Sequence, residues 1–291
     1  VCSSDLMDQR IINLYDHFPH GGISRRDFMD RLTKLAGSTA AATALLPLLQ
    51  NNYAQAAIVA ENDARLATER LAYDSPKGKI NGYLTRAKAQ GKRPAVLVIH
   101  ENRGLNPHTE DVARRFALEN FMAFAPDTLT TVGGYPGDDY KGGQLFAKID
   151  RAKMALDLLA AARWLKARPD CNGKIAATGF CFGGTVANQL AVLMGADLAA
   201  AAPYYGGAPQ AADVAKIKAA IMIHHGGLDK ALVDAYPAQE AELKKNNVKY
   251  EGYIYPESVH GFFNDATPER YNKVTAPQSW QRTIAWFKQH T

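Results

Sequence analysis

The most informative part of this sequence is Lys174-Ile-Ala-Ala-Thr-Gly-Phe-Cys-Phe-Gly-Gly184. Its first part, Lys174–Gly179, is a short run that predicts a strand, and a helix is predicted to follow over Gly184–Met194. Between them, Gly179-Phe-Cys-Phe-Gly183 places glycines on both sides of Cys181, so a tight turn can leave the cysteine exposed at its apex. The N-terminus of a helix also favours a thiolate. The stretch predicts a nucleophilic cysteine at a strand end, with a buried structural cysteine as the open alternative.

Strands and helices alternate along the rest of the chain. Strands are predicted at residues 65–74, 79–85, 94–100, 121–125, 174–179, 198–205, 219–225 and 249–255. Helices are predicted at residues 109–118, 148–166, 184–194, 235–245 and 270–289. Thr109 is the expected cap of the first helix, and the first two strands are expected to form an antiparallel hairpin. This alternation predicts one α/β domain over residues 57–291, built on a mostly parallel, doubly wound sheet flanked by helices.

Two more reactive residues follow predicted strands later in the chain. Asp229 lies in a Gly-Gly loop 48 residues after Cys181, and His260 lies 31 residues after Asp229. Taken alone, they read as a loop acid and a surface histidine. The order nucleophile, acid, histidine is, however, the chain order of α/β-hydrolases. Because the sites of doubly wound sheets lie at the carboxyl ends of the strands, we expect the three side chains to form a catalytic triad.

A glutamate follows the third predicted strand, in His100-Glu-Asn-Arg-Gly-Leu105. Together with the cysteine turn, Pro203-Tyr-Tyr-Gly206, the Asp229 loop and His260-Gly-Phe262, this motif resembles the dienelactone hydrolase (carboxymethylenebutenolidase) family of the α/β-hydrolase superfamily. The resemblance spans about residues 65–289. The feature specific to this family is the combination of the glutamate with a cysteine in the turn, because the turn alone would fit many esterases.

The resemblance implies a carboxylic ester hydrolase that forms an acyl-enzyme. Glu101 would contact the Cys181 thiol and accept its proton when the substrate arrives, and His260, oriented by Asp229, would stabilise the thiolate and then activate water. Chemistry agrees, because only a thiolate attacks well and a neighbouring base or imidazolium can create one. The expected substrate is a small ester or lactone, and no cofactor or metal is implied.

The developing oxyanion needs donors that are fixed in place. The backbone N–H groups of Asn102 and of Phe182, at the start of the predicted helix, are the candidates. The family holds the substrate carboxylate with two arginines, but here the stretch Thr128–Tyr135 is without a basic residue, and Asn264 stands four residues after His260. An unpaired carboxylate is costly to bury, so neutral, fairly apolar esters or lactones are expected, with Arg103 as the open alternative clamp. The predicted substrate pocket consists of Arg103, Tyr135, Tyr205, Phe263 and Asn264.

Other functions stay open at this point. A carboxylesterase would differ only in its substrate. A non-catalytic periplasmic binding protein would have the same fold without the catalytic triad. A redox sensor built on Cys181 would need a resolving thiol, and Cys171 is expected to lie too far away. The third cysteine, Cys2, lies in Val1–Leu6, which looks foreign before Met7 and is expected to be an artefact. Three cysteines predict neither a disulfide framework nor a zinc site.

Composition and charge are those of an ordinary globular protein. Of the 291 residues, 47% are hydrophobic and 22% are charged, which is ordinary for a globular protein. The net charge is +5, but the basic residues are scattered along the chain instead of being gathered in one stripe. We therefore expect no nucleic-acid partner.

The first 56 residues predict an export signal. Ser24-Arg-Arg-Asp-Phe-Met29 resembles the twin-arginine motif, residues 35–49 carry no charge, and Ala54-Gln-Ala56 is an A-x-A cleavage signature. The uncharged run has 15 residues, fewer than the roughly 20 that cross a bilayer, so cleavage is favoured over a permanent membrane anchor. The twin-arginine export machinery is the expected partner, and a periplasmic or secreted mature protein is the expected product. A surface helix is the open alternative.

Overall fold

The computed structural model describes residues 8–18, 23–49, 51–76 and 78–291. Their core is a single eight-stranded sheet of order β1-β2-β4-β3-β5-β6-β7-β8. The strands are β1 Leu66–Ser75, β2 Gly78–Ala87, β3 Arg93–Ile99, β4 Met122–Pro126, β5 Cys171–Phe180, β6 Ala200–Tyr204, β7 Ala220–Gly226 and β8 Tyr250–Tyr255. Each predicted strand is confirmed, with ends that differ by a few residues. The short apolar runs β4, β6 and β7 are buried along their whole length, as strands covered on both faces must be.

Parallel pairing dominates this sheet. Strand β1 pairs with β2 as an antiparallel hairpin, and β2 pairs antiparallel with β4. The pairs β3–β4, β3–β5, β5–β6, β6–β7 and β7–β8 are all parallel. The prediction of a mostly parallel α/β sheet is confirmed. The loops that follow β3, β5, β7 and β8 consequently meet at one edge of the sheet, where sites of this architecture lie.

Helices cover both faces of the sheet. The helices of the described chain are α1 Gln9–His17, α2 Arg25–Ala36, α3 Thr39–Leu49, α4 Tyr53–Ala56, α5 Pro107–Leu118, α6 Asp139–Phe146, α7 Arg151–Lys166, α8 Phe182–Met194, α9 Lys230–Lys245 and α10 Thr275–His290. One apolar cluster joins one face of the sheet to α7 and α8, and a second joins the other face to α5 and α10. The sheet is therefore the middle layer of three.

The helix prediction is wrong in several details, including the starts of α9 and α10, which lie at Lys230 and Thr275. Helix α5 is capped by Asn106, whose side chain accepts a hydrogen bond from the backbone N–H of Thr109, so Thr109 is not the cap. Pro107 then occupies the first helical position, where its missing N–H costs no hydrogen bond. Residues 139–146 form a helix that the sequence did not predict, and the helix expected from residue 148 begins at Arg151 after its cap Asp150.

The first part of the described chain forms a small helical unit. Ser24 and Asp27 make a capping box at the start of α2, so these two residues of the twin-arginine-like motif also have a local structural role. Helices α1 to α3 share an apolar cluster whose buried members are Ile11, Tyr15, Phe28, Leu32, Ala42 and Leu49. The residues Val1–Leu6, Cys2 and Met7 lie outside the described residues.

Within the described ranges, no single helix is both long and apolar enough to cross a membrane. Helices α2 and α3 would be long and apolar enough only as a pair, and they are bent by 107° relative to each other. The proposed cleavage signature falls at α4, and Ala57 and Ile58 after it are exposed.

Candidate active site

Cys181 stands on a strained turn between β5 and α8. Its φ is 55° and its ψ is −112°, a conformation that a residue with a side chain rarely adopts. The two flanking glycines make this turn possible. A Cβ on Gly179 would lie 2.3 Å from the carbonyl oxygen of Gly183, and a Cβ on Gly183 would lie 2.3 Å from that of Ile99. The turn therefore packs directly on the end of β3.

Asp229 and His260 come from the loops that follow β7 and β8. The Nδ1 atom of His260 lies 2.6 Å from Oδ2 of Asp229, which is 5% exposed. An ionised carboxylate can only accept, so Nδ1 carries the hydrogen of this bond. The same ring borders the space that the Cys181 side chain faces. The structure thus brings together the three side chains that the chain order singled out.

The charges around His260 favour its protonated form. Burial lowers the pKa of His260, but the charge of Cys181 and the hydrogen bonds to Asp229 and Cys181 outweigh burial and raise the pKa well above its usual value. An imidazolium beside the sulfur stabilises a thiolate by direct attraction. The arrangement can therefore supply an activated sulfur nucleophile.

Glu101 follows β3 and faces the same space as Cys181 and His260. Its carboxylate accepts a hydrogen bond from Asn264 Nδ2 at 3.2 Å and a long one from the Tyr205 hydroxyl at 3.5 Å. Burial, followed by the charges of Glu101 and Cys181, raises the pKa of Tyr205 well above its usual value, so its phenol keeps the hydrogen that it donates. Asn264 and Tyr205 hold the carboxylate from two sides.

A buried histidine fixes the loop that carries Glu101. His100 is fully buried, and its Nδ1 lies 2.5 Å from the carbonyl oxygen of Glu101. A carbonyl only accepts, so Nδ1 is the donor and Nε2 accepts from the Thr128 hydroxyl at 2.7 Å. Burial, opposed by the charge of Asp127, lowers the pKa of His100 and keeps the ring neutral. The sequence motif contained this histidine, but its anchoring role became visible only in the structure.

Cys181 and His260 line two cavities. The larger has a volume of about 590 Å³. Its apolar and aromatic lining is formed by Phe146, Phe182, Val186, Tyr205 and Leu232. The smaller, on the side of Glu101, has a volume of only about 20 Å³. Asn102 borders both cavities and Phe182 borders the larger, so the two residues proposed for an oxyanion hole flank the cysteine.

The predicted pocket residues are divided between these spaces. Arg103 and Asn264 line the small cavity, and Tyr205 lines the large one. Tyr135 and Phe263 line neither of the two: the hydroxyl of Tyr135 donates to Asp139, and Phe263 stacks on Phe180 in the core. The sequence prediction did not separate the two sides of Cys181.

Three more residues at the site were missed by sequence analysis. Arg151, the first residue of α7, lines the large cavity with its guanidinium 4.4 Å from the centre of the Phe146 ring and 5.3 Å from that of Phe182. Arg151 is exposed overall, but the partial burial of its guanidinium lowers its pKa, and the charge of Cys181 opposes this shift. Arg270 and Tyr15 line the small cavity. None of the three belongs to a motif, so only their placement in the fold identifies them.

Within the described ranges, no cluster of three or more histidine, cysteine, aspartate or glutamate side chains could hold a metal ion.

Comparisons with known proteins agree with this geometry. A sequence model of the dienelactone hydrolase family matches residues 80–291, and a model called YqhI-like matches residues 4–37. The YghX fragment of Escherichia coli (strain K12) is 52% identical over 112 residues, which cover 38% of this chain and 96% of the fragment. Protein usf of Aquifex pyrophilus is 30% identical over 227 residues, covering 73% of this chain and 94% of its own length. The crystal structure of a dienelactone hydrolase-like promiscuous phosphotriesterase from metagenomic libraries is 27% identical with a TM-score of 0.68, covering 78% of this chain and 99% of that chain.

Proposed function

Because the chain belongs to the dienelactone hydrolase family, we propose that it hydrolyses an ester or a lactone through an acyl-enzyme on Cys181. The observation that carries this proposal is the series formed at the ends of parallel strands by Asp229, by His260, which is hydrogen-bonded to it, and by Cys181, which lines the same two cavities as His260. A binding protein that only kept the fold would need neither this series nor the strained turn that presents the sulfur.

The proposed reaction begins with the sulfur. The Cys181 thiol gives its proton to His260, either directly or by way of Glu101, and the thiolate attacks the carbonyl carbon of the substrate. The electron pair of the carbonyl moves to its oxygen, where the backbone N–H groups of Asn102 and Phe182 would stabilise the negative charge. The first N–H groups of a helix lack carbonyl partners within the helix, so that of Phe182 suits this role.

Two bond cleavages then complete the cycle. The tetrahedral intermediate collapses, the bond from carbon to the alcohol oxygen breaks, and protonated His260 gives its proton to the leaving oxygen. An acyl-thioester remains on Cys181. Water then loses a proton to His260 and attacks the thioester, which releases the carboxylic acid and restores the thiol. With a lactone, the alcohol and the acid are two ends of one product.

The large cavity indicates the class of substrate. A volume of about 590 Å³ lies within the range of about 300–1,000 Å³ that is usual for small-molecule sites. Aromatic and aliphatic side chains form one part of its lining, and polar side chains, among them Arg151 and Gln189, form the rest. Asn264, which stands where the family has one of its two clamping arginines, donates its hydrogen bond to Glu101. These observations support neutral, fairly apolar acyl esters or lactones. A similar fold serves a promiscuous phosphotriesterase, so phosphotriesters belong in the substrate panel.

The test is a panel of acyl esters, lactones and phosphotriesters, offered to the parent protein and to Cys181→Ala in parallel. We expect turnover of at least one ester or lactone by the parent and none above background by the variant. Intact-mass spectrometry of the quenched parent should show the mass of one acyl group on Cys181. Hydrolysis by Cys181→Ala at the parent rate would refute the proposed nucleophile, and turnover of phosphotriesters alone would refute the proposed substrate class.

We also propose that the protein is exported by the twin-arginine route and processed near Ala57. Support comes from the paired arginines Arg25 and Arg26, which are exposed at the start of α2, and from the exposed chain at Ala57. Replacing both arginines by lysine keeps the charge but removes the motif, so precursor should accumulate in the cytoplasm. Normal processing and export of this double variant would contradict the proposal.

A further inference from the structure

Helix α1 contacts the catalytic face of the domain. The side-chain oxygen of Gln9 accepts a hydrogen bond from the backbone N–H of His260 at 2.9 Å. The Tyr15 ring lies beneath two guanidinium groups, 4.9 Å from that of Arg103 and 5.9 Å from that of Arg270. Tyr15 is 8% exposed, and Arg103 and Arg270 are 5% and 7% exposed. The helix therefore buries polar groups that border the proposed active site.

The chain after α3 contacts the same face. The side-chain oxygen of Asn51 accepts a hydrogen bond from the Thr267 hydroxyl at 2.5 Å and a longer one from Asn264 Nδ2 at 3.4 Å. The Tyr53 hydroxyl donates to Asp139 at 2.7 Å. Asn264 also donates a hydrogen bond to Glu101. The N-terminal unit, which consists of α1 to α3 and the chain from Asn51 to Tyr53, is therefore joined to the residue that positions the proposed base.

These contacts leave almost no room on one side of Cys181. Tyr15, Leu49 and Asn51 form part of the wall of the small cavity, whose other wall includes Glu101 and Arg103. A volume of about 20 Å³ holds little more than a single water molecule. Atoms of a substrate can occupy the large cavity, but they cannot enter the space beside Glu101 while the N-terminal unit is docked.

We propose that the described residues 8–18, 23–49 and 51–53 act as an intramolecular inhibitor that lowers the activity of the enzyme until they are cut away. The exposed stretch at Ala57 and Ile58, where Ile58 is 62% exposed, is the accessible place for that cut. Before cleavage the unit is held next to its docking face at a high effective concentration, and after cleavage dilution favours its release. Release opens the Glu101 side and frees the backbone of His260. The inhibitory role rests on the proposed hydrolase function, whereas the covering of Arg103 and Arg270 does not.

The test uses the full chain with a protease recognition sequence inserted after Ala57, before and after cutting. Phenylglyoxal labelling of arginine, followed by peptide mass spectrometry, reports exposure without any substrate. Labelling of Arg103 and Arg270 should be at least tenfold faster after the cut, and the exposed Arg163 should be labelled equally in both states. The kcat/KM for the best ester of the panel should also rise at least tenfold.

Substitutions in the uncut chain separate docking from cleavage. Gln9→Ala and Tyr15→Ala should raise kcat/KM, whereas Arg10→Ala should not, because Arg10 lies on the solvent side of α1 and pairs with Asp8. If Tyr15→Ala also destabilises the helical unit itself, the unit will still leave its docking face, so kcat/KM is still expected to rise.

Each outcome of this experiment has one meaning. Unchanged labelling of Arg103 and Arg270 after the cut would overturn the docking. Faster labelling with unchanged kcat/KM would overturn the inhibition. Faster labelling in a protein that hydrolyses no member of the panel, cut or uncut, would refute the proposed function and leave the docking established.

Discussion

The carboxylate of Asp229 occupies the cap position of α9 but is directed at His260, with Oδ2 2.6 Å from Nδ1 of the ring. An aspartate at a helix start would ordinarily cap the helix with its side chain, and here that bond is not made. Helix α9 therefore begins without a side-chain cap, and the His260 ring has a buried acceptor that fixes its orientation and its tautomer. In the proposed mechanism Asp229 is therefore a positioning group, whereas His260 is one of the groups that react.

Substitutions in this series should therefore differ in severity. Cys181→Ala and His260→Ala each remove a group that reacts, and turnover should fall to background. Asp229→Ala leaves both reacting groups but removes a hydrogen bond that raises the pKa of His260, so kcat should fall by about 10²–10⁴ and remain measurable. Steady-state kinetics on one ester checks the order. A loss in Asp229→Ala as complete as that in Cys181→Ala would contradict the positioning role.

The turn at Cys181 makes a prediction about stability. In Gly183→Ala the new methyl group would lie 2.3 Å from the backbone oxygen of Ile99, which cannot move away cheaply. We expect a loss of about 1–3 kcal/mol in the free energy of unfolding, the usual cost of overpacking, together with loss of turnover. Urea unfolding measures the first effect. The control is Gly207→Ala, whose methyl group would meet the Thr185 side chain at an ordinary 3.5 Å and should change stability by no more than about 0.5 kcal/mol.

A buried histidine beside the site should make the fold sensitive to acid. His225 is 1% exposed, and burial, opposed by the charge of Asp229, lowers its pKa to about 4. In the unfolded chain its pKa is about 6.5, so between these two values the unfolded state binds more protons and stability falls as the pH falls. The full effect is roughly 3 kcal/mol, reached near pH 4. Above about pH 6.5 the ring is neutral in both the folded and the unfolded state, so His225 causes no loss of stability there.

The measurement is urea unfolding of the parent and of His225→Gln at several pH values from 4 to 8. The variant lacks this titration, so its stability should fall less steeply below pH 6.5. His100 and His224 are also fully buried with lowered pKa values, so part of the slope will remain. Identical slopes in parent and variant would show that His225 does not contribute.

Much of the fold and the chemistry at the strand ends could be predicted from the sequence. Buried strands carry their own apolar pattern, and the glycines around Cys181 are needed locally, so both are readable in short windows. The cap of α5 was missed because Thr109 and Asn106 are both good caps, and the signal that decides between them is Pro107 at the first helical position.

The rest depends on contacts between distant parts of the chain. Gln9 and His260 are 251 residues apart, and no local pattern indicates that they meet. The position of Asn264 was correctly noticed as one without an arginine, but its bond to Glu101 depends on how two loops pack. Arg151 was missed for the same reason, because its helix reaches the cavity only in the folded chain.

Substrate charge gives the last prediction. Burying a carboxylate in an apolar cavity costs several kcal/mol unless a cation pairs with it, and each 1.4 kcal/mol is a factor of ten. Arg151 borders the large cavity, is exposed and lies over two aromatic rings, whereas Arg103 lies over the Tyr15 ring at the small cavity. We expect kcat/KM for a neutral ester to exceed that for its carboxylate-bearing analogue by at least tenfold. The reason is that an exposed arginine offsets only part of the free-energy cost of burying the substrate carboxylate.

Paired measurements on both esters in Arg151→Ala, Arg103→Ala and the remote control Arg163→Ala check this. Arg151→Ala should widen the preference for the neutral ester by a few fold, since it removes the cation nearest the open cavity. Arg103→Ala and Arg163→Ala should leave the ratio unchanged in the uncut chain, because Tyr15 covers Arg103 and Arg163 lies on the solvent side of α7. A strong preference for the anion that disappears in Arg103→Ala would refute the neutral-substrate proposal and identify Arg103 as the carboxylate clamp.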